Sequence, residues 1–141
     1  MVMDIYTLVA TVSLVLQIAI LILLSGSLEL KRRKKFRQHG ITMLIAIVLH
    51  TISIIFVMIP SFRVITAGDF TIFSLIAYVH GTAGALAELL AIWILLTWRL
   101  RTSIQYCAPK KKFMLLTLVL WLTAILLGIL LYLYYYTTLL L

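Results

Sequence analysis

Four long apolar runs decide what this chain can become. They lie at about Ile5–Leu28, Ile41–Ile59, Phe70–Trp98 and Phe113–Tyr136. About 20 helical residues, rising about 1.5 Å each, cross a hydrocarbon core of about 30 Å. All four runs have the length for this, and the third is long enough to tilt. Strands of a membrane barrel would alternate apolar and polar residues, and these runs do not. Hydrophobic residues make up 65% of the chain, against about 45–50% in an ordinary soluble domain. The predicted fold is an all-α membrane protein. It is a four-transmembrane-helix up-down-up-down bundle, one integral membrane domain over residues 1–141, since the loops are short. Met1–Asp4 carry no Lys or Arg, and the first run exceeds a signal-peptide core, so it is counted as a retained helix.

Charge predicts the orientation. The net charge of +8 comes from twelve Lys and Arg against four acidic residues. Six basic residues stand in Lys31–Arg37 and five in Arg99–Lys112, leaving Arg63 alone in the remaining loop. Short loops rich in Lys and Arg stay in the cytoplasm. The expectation is a multi-pass plasma-membrane protein with both basic loops cytoplasmic and both termini outside. The same charge attracts anionic lipid. No aromatic readout motif accompanies it, so nucleic acid is not an expected partner. Trp98 and Tyr106 mark the inner interface, and Tyr6 with Tyr132, Tyr134, Tyr135 and Tyr136 marks the outer one. A single Cys, Cys107, rules out an internal disulfide. The absence of Asn is a weak sign of a hot-environment source.

Two ionisable groups sit where a charge is costly. His50 is ten residues before Pro60, and His80 is ten residues after Phe70. On oppositely directed helices both fall about 15 Å below the outer boundary, near the bilayer centre. A histidine in lipid needs a partner. Structural zinc wants four ligands, and copper usually adds Cys or Met. A haem iron needs only two trans imidazoles. His50 and His80 are therefore read as axial ligands of a haem b, with plain core hydrogen bonding or another metal as the alternatives. Ala77, Gly81, Gly84, Ala87 and Ala91, with Thr117, Ala124 and Gly128 on the fourth run, provide room for a porphyrin or close helix packing.

Other polar groups extend this reading. Glu88 follows His80 by eight residues and serves either in proton or quinol chemistry or as a neutral core carboxyl. Gln17, four residues after Ser13, is placed to bond an imidazole or to join helices. Arg63 is either a propionate partner or solvated. His39 precedes His50 by eleven residues, about 16 Å along one helix face. With Met43, Cys107 and Met114 near the same level, it defines a candidate second haem or soft-metal site, or else an interfacial histidine.

The stretches "RRKKFRQHGITML", "VHGTAGALAELLAIWILL" and "KKKFMLLTLVLWLTAILLGILLYLYYY" are similar to a small four-helix membrane family. That family includes CtaM-type factors needed to mature haem–copper cytochrome oxidases. The resemblance spans about Lys31–Tyr136 and is carried by His39–Met43 and by His80 with its small neighbours. It implies an assembly role beside a respiratory complex. The family's histidine at the start of the fourth helix is absent here, where the chain reads "CAPKKKFM", and His50 is not a family position.

Two functional expectations follow. One is a membrane b-type cytochrome passing electrons between the quinol pool and a respiratory or redox partner. The other is an assembly factor or accessory subunit of a haem–copper oxidase or other respiratory complex. Haem b is the expected cofactor, once or twice, with quinone as a further ligand. Membrane lipid, respiratory-complex subunits or further copies of the chain are the expected partners. No Gly-rich phosphate loop and no nucleophile with a base partner point to a stand-alone enzyme.

Overall fold

The computed structural model describes residues 5–68, 70–99 and 108–137. Helix α1 covers Ile5–Arg32. Helix α2, Phe36–Ser53, runs into a π-helical turn at Ile54–Met58 and then into α3, Ile59–Thr66. Helix α4 spans Ile72–Trp98, and α5 spans Lys111–Thr137 after a 3₁₀ turn at Ala108–Lys110. No strand occurs among the described residues. Four segments are long and apolar enough to cross a membrane: Thr7–Arg32, Phe36–Val64, Ile72–Trp98 and Lys111–Tyr136. Most residues in each point away from the interior, as lipid-facing helices must. α4 is the most enclosed, with 33% of its apolar window buried against 17% for α1.

Local chemistry sets the ends. At α1 the Lys34 N–H donates to the Lys31 carbonyl and the Lys35 N–H to that of Leu30, both at 3.0 Å. Lys34 takes φ 57°. This is a Schellman turn with lysine where glycine is usual. Helix α4 opens on a capping box: Thr71 Oγ1 accepts from the Ser74 N–H at 3.3 Å, and Ser74 Oγ accepts from the Thr71 N–H at 3.4 Å.

The second span differs from the sequence expectation at both ends. It begins at Phe36 rather than near Ile41, and it continues past Pro60 to Thr66. Proline ends a helix mainly because it lacks an N–H and crowds the preceding turn. Here the Ile59 N–H bonds the Ile54 carbonyl, five residues back. The widened turn places Pro60 in the first turn of α3, where a missing N–H costs little.

Helix α4 packs chiefly on α5, and α1 on α2. The core joins Ile20 and Leu24 of α1, Ala46 and Ile47 of α2, Ala87 and Ala91 of α4, and Trp121 and Ile125 of α5. The alanines of α4 leave the space that Trp121, fully buried, fills.

Candidate functional site

His80 projects from α4 to α5. Its Nδ1 lies 2.7 Å from the Ala124 carbonyl oxygen. A carbonyl only accepts, so Nδ1 carries a proton, and in the neutral ring Nε2 keeps its lone pair. Gly128 permits this approach. A Cβ at that position would meet Gln17 Oε1 and lie 2.9 Å from His80 Cε1.

His50 is buried on α2 and reaches α4. Its Nδ1 is 2.8 Å from Glu88 Oε2. The other Glu88 oxygen accepts from the Thr51 hydroxyl. The imidazole also stands edge-on to Trp121, with ring centroids 5.3 Å apart. A Cβ on Gly84 would lie 3.9 Å from His50 Cε1 and Nε2. The His50 ring is therefore level with Gly84, one turn or about 6 Å along α4 from His80.

The two rings share a pattern. Each has Nδ1 tied to an oxygen of a neighbouring helix, as in metal-ligating histidines, which donate one ring N–H to a carbonyl or carboxylate and ligate through the other nitrogen. Only one of them lines the larger of the two cavities described among these residues. That space, about 1180 Å³, is walled by His80, Gly81, Gln17, Ser13, Arg63, Gly128 and Tyr132, among others, and by most of the π-helical turn. His50 is not on its wall.

Gln17 is buried on α1. Its amide nitrogen donates to Ser13 Oγ at 3.2 Å, and its Oε1 has no partner among the described residues. Of the two roles expected for Gln17, a bond to an imidazole or a contact between helices, the first is not made: Ala124 and Glu88 hold the two Nδ1 atoms. Arg63 is exposed and lines the cavity.

A second cavity, of about 170 Å³, brings His39, Met43 and Met114 together with Lys31, Trp98, Lys111 and Trp121. Cys107 lies outside the described residues. His39 is buried. Its Nδ1 lies 2.9 Å from the Ser27 carbonyl oxygen and 2.6 Å from the Ser27 hydroxyl. Among the described residues, no three His, Cys, Asp or Glu side chains gather as a metal-binding group.

Four participants escaped the sequence reading: the Ala124 carbonyl, Thr51, Ser27 and the pairing of Glu88 with His50. The last had a signal. Glu88 is the one carboxylate within the apolar stretches, and such a group must find a proton or a donor. The carbonyl had none, since every residue carries one. No family model, no curated protein and no solved structure matches this chain.

Proposed function

We propose that this chain is an integral membrane electron-transfer protein of the b type, working between the quinol pool and a respiratory or redox partner. His80 and His50 hold its haem. The observation that carries the reading is His80 on the wall of a roughly 1180 Å³ cavity, with Nδ1 committed to Ala124 and Nε2 left to ligate. The cavity exceeds the about 300–1,000 Å³ of ordinary ligand pockets, which gives a porphyrin room. His50, which stands off that wall with its Nδ1 held by Glu88, is the second imidazole this reading requires. A haem bound there supplies one-electron transfer. The chain's own groups would position the two rings, through Ala124 for His80 and Glu88 for His50. Arg63 on the wall is placed for a propionate or a quinol oxygen.

Purified protein expressed with ample haem is expected to show a low-spin spectrum with sharp reduced bands and little carbon monoxide binding. His80→Ala should lose the haem. His50→Ala should leave it high-spin and carbon monoxide-reactive. A wild type without a Soret band sinks the proposal. So does a low-spin spectrum retained in both single variants.

A further inference from the structure

We propose that the smaller cavity is a site for an anionic phospholipid, with its phosphate at Lys31 and Lys111 and one acyl chain inside. The site is distinct from the His80 cavity and independent of the haem reading. Its walls come from four helices: Lys31 ends α1, His39 opens α2, Trp98 ends α4 and Lys111 opens α5.

The ligand's charge follows from the rim. No carboxylate lies within salt-bridge distance of Lys31 or Lys111 among the described residues. Glu29 holds Arg32 and Arg33, and Glu88 is taken by His50 and Thr51. Two lysines lining one cavity disfavour a metal cation, so the thioethers of Met43 and Met114 do not make this a cation site. They attract a phosphate instead.

The ligand's charge preference rests on the two lysines, because the interior polar groups are closed off or already bonded. The indole N–H groups of Trp98 and Trp121 are buried without a partner among the described residues. The Thr117 hydroxyl is spent on the Phe113 carbonyl, and His39 Nδ1 is held at Ser27. The rest is apolar, from Leu24, Ile47, Ala91 and Ile94. A volume of about 170 Å³ falls below the about 300 Å³ that encloses a whole small ligand. It admits one arm of a larger molecule whose remainder stays in the bilayer.

Two of the three tryptophans line this cavity, and the third, Trp93, is exposed. That gives a direct readout. The full chain carrying Trp93→Phe is placed in phosphatidylcholine bilayers and titrated with phosphatidylglycerol or phosphatidylcholine brominated on the acyl chains. Brominated phosphatidylglycerol should quench the remaining fluorescence at about tenfold lower mole fraction. K31Q with K111Q should bring the two lipids to parity. K35Q with R37Q, which removes two basic residues off the cavity wall, should keep the preference. Equal quenching by both lipids in the Trp93→Phe protein overturns the proposal. A preference that survives K31Q/K111Q, or one lost equally in K35Q/R37Q, overturns it as well.

Discussion

At Gly128 the α5 backbone faces Gln17 of α1 and His80 of α4. A methyl group there would meet Gln17 Oε1 and stand 2.9 Å from His80 Cε1, a separation no packed core tolerates. Gly128→Ala should therefore turn His80 away from the Ala124 carbonyl. Haem occupancy, read as Soret absorbance per chain, should drop about tenfold or more. Gly26→Ala, where a Cβ meets nothing within 4 Å, should leave it unchanged. A second test concerns Thr51. Its hydroxyl donates to Glu88, and Thr51→Val keeps the shape while removing that bond. Hydrogen bonds between membrane helices contribute about 0.6 kcal/mol on average and about 1.7 at most, so a loss of about 1 kcal/mol is expected. Unfolding in detergent measures it, and an unchanged midpoint would remove Thr51 from the cluster. At this scale the sequence was half legible. Histidines in the apolar runs announce themselves, because an ionisable group in lipid is costly. What they bond does not, because Ala124 acts through its backbone and the His50–Glu88 pairing depends on how α2 rotates against α4.

Helix identity was legible from hydropathy, and helix boundaries less so. Pro60 reads as a stop, yet the π-helical turn before it absorbs the missing N–H and the helix continues. The apolar run begins near Ile41, yet the helix starts at Phe36, since each backbone group entering the membrane must be bonded within the segment. The turn between α1 and α2 offers a measurable consequence. Lys34 holds a left-handed conformation that costs a non-glycine residue about 1–2 kcal/mol. Lys34→Gly should raise stability by about 1 kcal/mol, seen as a higher melting temperature. A lower one would mean that the lysine side chain contributes more than its backbone strain costs.

For the whole molecule, the described ends of α1, α2, α4 and α5 that meet around the smaller cavity are the ones beside the basic runs. The imbalance of eleven Lys and Arg to one then predicts one face of the membrane for both basic loops. A Cys placed at Lys34 should resist impermeant maleimide in intact cells, while one at Thr66 should react. The reverse pattern inverts the orientation.

The Glu88 cluster bears on how such a protein is made. α4 has a mean hydropathy of 1.7, against 2.6 and above for the other three spans, and it carries the carboxylate. It is the span least able to enter lipid unaided. Its partners, His50 and Thr51, belong to the second span, which leaves the ribosome first. During synthesis the earlier span offers the later one a polar handhold. Partition of α4 from the translocon thus becomes a joint event of two helices rather than a solitary insertion.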